Sequence, residues 1–366
     1  MQEVGGSIPP GSTKFHPAKF KLPSGGFFVG ARRCMMPPAT GGTMKNKIAL
    51  EEHFAIESTL GDSKVFGAHV WPDLSHRLLD IQKTRLREMD KHGVGMMILS
   101  LNAPAVQAIS DKTRAVTIAK QANDVLADNV RKRPDRFAGF AALPMQDPDA
   151  AGRELERCIK ELKFVGALVN GFSETGDSKQ LLYYDLPQYK PFWKLVESLD
   201  VPFYLHPRNP LLGQIPGYAG HNWMLGPNWA FNAETSVHAL RLIGSGLFDE
   251  CPKLKIVLGH LGEGIPALLW RIDHRNGWMK EPHHYAAKKP VADYFRKHFW
   301  LTTSGNFSTS ALKQAVQELG VDRLMFSVDW PFEDVGEGCD WFDNADLAPA
   351  DCQKIGRDNA VKLFKL

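Results

Sequence analysis

The sequence predicts a single (β/α)8 barrel on three observations: eight short apolar runs of strand character, longer segments of helical spacing between them, and polar residues gathered at the ends of the runs. Runs apolar on both faces that alternate with helices indicate a parallel sheet, and eight such units close most economically into a barrel of ~250 residues or more. The chain has 366 residues. A doubly wound open sheet is the competing arrangement, but no G-x-G-x-x-G follows the first run, where a dinucleotide-binding sheet would carry one.

The first 43 residues are rich in glycine and proline (Pro9-Pro10, Gly25-Gly26, Pro37-Pro38, Gly41-Gly42) and hold no sustained period. They read as a flexible extension ahead of a barrel domain over 44–366. An upstream start codon before a true Met44 explains the stretch better than a targeting peptide, which would be amphipathic and serine-rich. The strand-like runs are Ile48 to Phe54, Met96 to Leu101, Phe137 to Leu143, Val165 to Val169, Pro202 to His206, Ile256 to Leu261, Phe299 to Thr303 and Leu324 to Asp329. Helical spacing runs over Leu78 to His92, Lys112 to Lys132, Asp149 to Leu162, Pro191 to Leu199, Ala233 to Leu247, Ala311 to Leu319 with Ser310 as N-cap, and Ala350 to Leu363. The segment from Arg208 to Ala233, rich in Pro, Gly and Trp, reads as a loop over the mouth.

Composition narrows the function. With 43% hydrophobic and 23% charged residues the chain can bury a large core. Of the net charge of +3, the first 43 residues carry +4 (Lys14, Lys19, Lys21, Arg32 and Arg33 against Glu3), which leaves the body at −1. A body so nearly neutral offers no electrostatic footprint for nucleic acid. No apolar run approaches the ~18 residues of a membrane span. Five scattered cysteines without a C-x-x-C pair argue against both a disulfide framework and a thiolate zinc site, and point to a reducing, cytoplasmic setting.

The chemistry gathers at the strand ends, where barrel enzymes build their sites. Glu51 and His53 are two apart on the first run and point to one face, taken as the interior, while Glu52 points the other way. The fifth run ends in His206, the sixth in His260-Leu-Gly-Glu263 and the eighth in Asp329. A lone strand-end histidine is more often a hydrogen-bonded core group, but carboxylates and imidazoles converging from four strands need a cation to offset their burial. Glu51, His53, His206 and Asp329 are therefore the expected ligands of one divalent metal ion, Mn²⁺ or Zn²⁺ by their nitrogen and oxygen donors, and strand position alone counts His260 with them. Among the remaining histidines His238 sits on a helix that follows the His206 loop, where helix packing is its simpler role.

Six segments carry a resemblance: Leu50-Glu-Glu-His53-Phe, Phe203-Tyr-Leu-His-Pro-Arg-Asn-Pro210, Leu258-Gly-His-Leu-Gly-Glu263, Trp270-Arg-Ile-Asp-His-Arg275, Thr302-Thr-Ser-Gly-Asn-Phe307 and Ser327-Val-Asp-Trp-Pro-Phe-Glu333. In this order and spacing they resemble the decarboxylases of the amidohydrolase superfamily, the aminocarboxymuconate-semialdehyde decarboxylase-like family, from about Met44 to Leu366. Hydrolases of that superfamily commonly open with His-x-His and carry a carboxylated lysine on the fourth strand. Here the first strand reads Glu-x-His and Gly166-Ala-Leu-Val-Asn170 has no lysine, which favours one metal over two.

The resemblance implies metal-dependent, non-oxidative decarboxylation of a hydroxybenzoate, in which the ion holds the substrate through its carboxylate and an ortho oxygen. It implies Asp329 as the acid that protonates the ring, His260 and Glu263 as its helpers, Phe66 and Phe332 as aromatic walls, Asn170 as a hydrogen-bond donor, Arg271 as a substrate-pocket residue near His260 and Glu263 at a subunit interface, and a homodimer or homotetramer. Related benzoate decarboxylases have alanine where this chain has His53, so His53 is either a ligand or a neighbour of the substrate. The Glu-Glu-His form favours 2,6-dihydroxybenzoate over salicylate, 2,3-dihydroxybenzoate and carboxyvanillate. The alternatives are a mononuclear metal-dependent hydrolase and a non-catalytic barrel that binds aromatic acids.

Overall fold

Eight parallel strands succeed one another round one sheet in a computed structural model, which describes residues 43–66, 69–177, 180–211, 215–279 and 284–366. They are β1 Lys47–Phe54, β2 Val94–Leu101, β3 Phe137–Ala141, β4 Gly166–Asn170, β5 Phe203–His206, β6 Ile256–Leu258, β7 Phe299–Thr302 and β8 Leu324–Met325. Each pairs with the next in chain order, without the reversal that a doubly wound sheet requires. The seam between β8 and β1 is bridged differently: Leu50 N and Glu51 N donate to Ser327 Oγ at 3.2 and 2.7 Å, and His53 N donates to Trp330 O at 2.6 Å. This is the (β/α)8 barrel that the alternation predicts.

Two apolar layers hold it. Inside, Ile48, Leu50, Ile98, Phe140, Leu168, Tyr204, Val257 and Met325 fill the barrel, and Leu363 and Phe364 of the C-terminal helix Asn359–Phe364 pack against them, with the Phe364 ring 5.4 Å from that of Phe140. Outside, the other strand faces pack on the surrounding helices. Each fully buried large side chain contributes about 1.5–3 kcal/mol.

The parity of β1 depends on a local irregularity. Ile48 and Leu50 face the interior, so strict alternation would put Glu52 inside as well. The register shifts between Ala49 and Glu52, where β1 spends one residue more than β2, and beyond that bulge Glu51 and His53 turn inward.

Several elements differ from the sequence expectation. The helix expected over Leu78 to His92 is two, Trp71–Leu79 and Thr84–His92, because the Asp80 carboxylate accepts from Lys83 N and Thr84 N at 2.9 and 2.7 Å and starts the second afresh. The N-cap of helix Thr309–Leu319 is Ser308, not Ser310; Ser308 has the extended backbone of a cap and accepts from Ala311 N, whereas Ser310 already lies in the first turn. Helices Leu269–Asn276, Val291–His298 and Val335–Asp343 escaped the sequence reading, since eight or nine residues hold barely two turns of periodic signal. The last helical segment is Pro349–Gln353, then a wider turn over Lys354–Asp358, then Asn359–Phe364. The loop after β5 is irregular, with short 3-10 turns at Pro216–Tyr218, Asn222–Met224 and Gly226–Asn228. The extension expected over residues 1–43 lies, but for Thr43, outside the described residues.

Candidate metal centre

The barrel brings Glu51, His53, His206 and Asp329 together at one mouth, each with a ligand atom within 4.8 Å of the others'. His206 Nε2 lies 3.0 Å from Glu51 Oε1, and His53 Nε2 lies 3.3 Å from Asp329 Oδ1. Yet Glu51 Oε1, His53 Nε2 and Asp329 Oδ1 are all buried without a hydrogen-bond partner. Close approach without hydrogen-bond geometry, in a largely buried group of two acids and two imidazoles, is what a shared cation would satisfy. The donor set is nitrogen and oxygen with no thiolate, so the residues fit one divalent ion.

The surroundings aim these atoms. Glu51 Oε2 accepts from Tyr204 Oη and, at 2.5 Å, from Ser304 Oγ, which leaves Oε1 directed at the cluster. A Cβ at Gly259 would stand 2.5 Å from Glu51 Oε2, so the residue before His260 has to be glycine. His53 Nδ1 pairs with Ser100 Oγ at 3.1 Å, and such a bond on the far nitrogen fixes ring orientation. Burial alone would push the Glu51 carboxyl up, but His260, His206 and His53 together hold it well below the usual carboxylate range.

His260 stands one step back. Its Nδ1 is 2.8 Å from Glu263 Oε1, and its Nε2 is 3.6 Å from both Glu51 Oε1 and Asp329 Oδ2. Burial disfavours the charged imidazole, yet the Glu263 and Glu51 carboxylates outweigh it and raise His260 well above its ordinary value. The turn that carries the pair is left-handed throughout, with φ of 50, 58, 87, 57 and 77° from His260 to Gly264. For His260, Leu261 and Glu263 this costs about 1–2 kcal/mol each, strain of the kind that gathers at functional sites. Gly305 lets the ring in: at φ +58° its missing Cβ would meet His260 Cδ2 at 2.9 Å and Asp329 Oδ2 at 3.2 Å.

The other expected residues fall in different places. Asn170 sits beside His206 in register, but its Nδ2 already donates to Asn102 O at 3.0 Å, and the atom without a partner is the acceptor Oδ1. The Phe332 ring stands 5.6 Å from the His53 ring. The side chain of Phe66 lies outside the described residues. Arg271 is exposed on helix Leu269–Asn276 and does not reach the cluster of its own chain. His238 is a buried packing residue whose Nε2 accepts from Tyr184 N at 3.1 Å.

Sequence reasoning missed Tyr204, Ser304 and Glu52. Tyr204 is two before His206 on β5, and that spacing could have placed it on the same face. Glu52, turned out of the barrel by the bulge, accepts from Val328 N at 2.9 Å, Ser327 Oγ at 3.0 Å and Trp330 N at 3.1 Å. Burial pushes its carboxyl up to about 7, against the pull of the Val328 N–H, the Arg85 guanidinium and the other donors.

Fold and site together define a barrel enzyme with one metal centre at the strand ends. The chain belongs to the amidohydrolase family, whose model matches residues 66–366. It is 62% identical over 324 residues, 88% of this chain and 99% of the relative, to the γ-resorcylate decarboxylase of Rhizobium sp. (strain MTP-10005). A crystal structure of 2,6-dihydroxybenzoate decarboxylase in complex with 2,6-dihydroxybenzoate is 62% identical, with a TM-score of 0.86 over 88% of this chain and 100% of that one. The dihydroxybenzoic acid decarboxylase of Polaromonas sp. JS666, solved with manganese and the inhibitor 2-nitroresorcinol, gives the same identity and TM-score over 88% of this chain and 98% of that one.

Proposed function

We propose that this chain decarboxylates 2,6-dihydroxybenzoate to resorcinol and CO2, reversibly, with one divalent metal ion held by Glu51, His53, His206 and Asp329. The observation that carries the reading is the convergence of unpartnered ligand atoms at the mouth of a barrel whose relatives of 62% identity are decarboxylases of this acid. Manganese is the ion held by the Polaromonas relative, and Zn²⁺ suits the same donors. When bound, the ion supplies the positive charge that anchors the substrate's carboxylate and an ortho oxygen.

The chain's own residues do the rest. Asp329 gives a proton to the ring carbon that bears the carboxylate. A ring π pair forms the new C–H bond; the electrons of the breaking C–C bond then return to the ring as CO2 leaves, so no oxidant or reductant is needed. His260, oriented by Glu263, faces Asp329 Oδ2 and resupplies its proton. The free Asn170 Oδ1 accepts from a substrate hydroxyl, and Phe332, whose ring stands 5.6 Å from that of His53, flanks the substrate ring.

Oligomerisation belongs to the same reading. Trp270 and Trp278 are 73% and 70% exposed beside Leu268 and Met279, an apolar surface that a monomer seldom leaves uncovered. A homodimer or homotetramer would cover it and give Arg271 a neighbouring site to reach. The setting is cytoplasmic, consistent with the free Cys158, Cys251, Cys339 and Cys352; no described helix is long and apolar enough to cross a membrane. Residues 44–366 form the catalytic domain, with 1–43 as an extension ahead of it.

The test is direct. Protein stripped with a chelator and reloaded with Mn²⁺ or Zn²⁺ should convert 2,6-dihydroxybenzoate to resorcinol and CO2 in equal amounts, with salicylate and 2,3-dihydroxybenzoate turned over more slowly. Hydrolysis of a lactone or ester by the reloaded protein, without resorcinol, would overturn the reading in favour of a hydrolase.

A further inference from the structure

Asp329 has an unusual backbone for its task. Its φ is +83°, a conformation that non-glycine residues rarely adopt, and it lies beyond the end of β8, where the ladder has already stopped. Some contact has to hold it there. The N–H groups on either side of it, Val328 N and Trp330 N, both turn to the Glu52 carboxylate, at 2.9 and 3.1 Å, one to each oxygen. Backbone N–H groups drawn together by a left-handed residue form a concavity for an anion, and here the anion is a side chain of the protein itself.

Glu52 does not act alone on this seam. Ser327 Oγ bonds the same carboxylate at 3.0 Å while accepting from Glu51 N at 2.7 Å, and His53 N donates to Trp330 O at 2.6 Å. Arg85, fully buried on helix Thr84–His92, donates to the His53 carbonyl and supplies the positive charge that faces Glu52. The two backbone segments carrying Glu51, His53 and Asp329 are thus joined through one carboxylate that points away from the cluster.

We propose that Glu52 is a positioning residue that holds Asp329 where its carboxylate reaches both the cation and the substrate ring. This rests on the decarboxylase reading for the ring-protonating half, and on the metal centre alone for the other. Glu52→Gln keeps the volume but presents an NH2 to one of the two backbone N–H groups, donor against donor. Freed of the clamp, Asp329 relaxes from its left-handed geometry, while Glu51 and His206, held by other contacts, stay in place.

The experiment is a double-variant cycle on the full-length protein, comparing wild type, Glu52→Gln, Asp329→Asn and both together. Two quantities are read: the Mn²⁺ dissociation constant by electron paramagnetic resonance, and kcat and KM for 2,6-dihydroxybenzoate at saturating Mn²⁺. Glu52→Gln should weaken Mn²⁺ about 10- to 100-fold, the usual effect of removing a partner that orients a ligand. It should lower kcat by a similar factor with KM within about threefold, and in the Asp329→Asn background it should add less than about threefold to either loss. Losses that multiply in the double variant, or a folded Glu52→Gln with unchanged Mn²⁺ affinity and kcat, would overturn the proposal. If Glu52→Gln does not fold, Glu52→Gln with Arg85→Gln removes both buried charges together and carries the same cycle. A wild type that binds Mn²⁺ but makes no resorcinol would sink the decarboxylase reading and leave the Mn²⁺ arm to decide on Glu52.

Discussion

A methyl group at position 305 would stand 2.9 Å from the His260 ring and 3.2 Å from Asp329 Oδ2, on a backbone at φ +58°. Gly305→Ala therefore forces His260 and Asp329 apart by a few tenths of an ångström. Since small misplacements of reacting groups cost up to about 10²-fold, kcat should fall about 10- to 100-fold with the protein still folded; an unchanged kcat would mean that the two groups do not work in contact. A second residue-scale prediction concerns His238, which burial holds at about 3, far below an ordinary imidazole. Between pH 6.5 and 3 the unfolded chain binds a proton there that the folded chain refuses. Stability is therefore lost as pH falls through that window, at up to about 1.4 kcal/mol per pH unit. His238→Gln, whose amide oxygen can still accept from Tyr184 N, should flatten the fall in urea midpoint between pH 6 and 4 by about one proton, and a parallel curve would refute the assignment. Glu51, His53, His206 and Asp329 were legible because a polar side chain inside an apolar run stands out. Glu52 and Ser304 were not, since the partners that give them a task lie more than 250 residues away.

At the scale of elements, eight runs of the right spacing were readable, but their ends were not. The run from Leu324 to Asp329 looks like one strand, yet only Leu324 and Met325 pair. Beyond them Phe326 N donates to Ile355 O at 2.8 Å and Val328 N to Glu52, so tertiary partners take the donors that a ladder would use. The bulge in β1 was equally hidden: the sequence pattern gave Glu51 and His53 a common face, but the switch of parity after Leu50 appears only in the pairing with β2. Longer helices were easier to read. Asp147 accepts from Ala150 N at 3.0 Å at the start of helix Pro148–Lys160, which packs on the outer layer. Asp147→Ala should cost about 1 kcal/mol in denaturant titrations and leave kcat/KM unchanged; a loss of turnover without a loss of stability would contradict its purely structural place.

For the molecule as a whole, the metal centre and the barrel depend on each other. The candidate ligands come from β1, β5 and the loop after β8, so β1 and that loop, on the two sides of the β8–β1 seam that lacks a regular ladder among the described residues, carry three of the four. An ion bound there links β1 to the loop after β8 in addition to the Ser327 and Trp330 contacts. Without it, the buried Glu51 carboxylate and the partly buried Asp329 carboxylate stand in each other's field among imidazoles. Because the unfolded chain cannot assemble these groups, a bound ion stabilises the folded state by RT ln(1 + [M]/Kd), about 2.7 kcal/mol at a hundredfold excess over Kd. Stripping the metal should thus lower the melting temperature by several degrees, and Mn²⁺ or Zn²⁺, but not Mg²⁺ at the same concentration, should restore it. Asp329→Asn loses one anionic ligand and should respond to Mn²⁺ with a smaller shift than wild type. A melting temperature indifferent to chelator in wild type, with activity retained, would show that the cluster is satisfied by protons and that the chemistry at this mouth needs no ion.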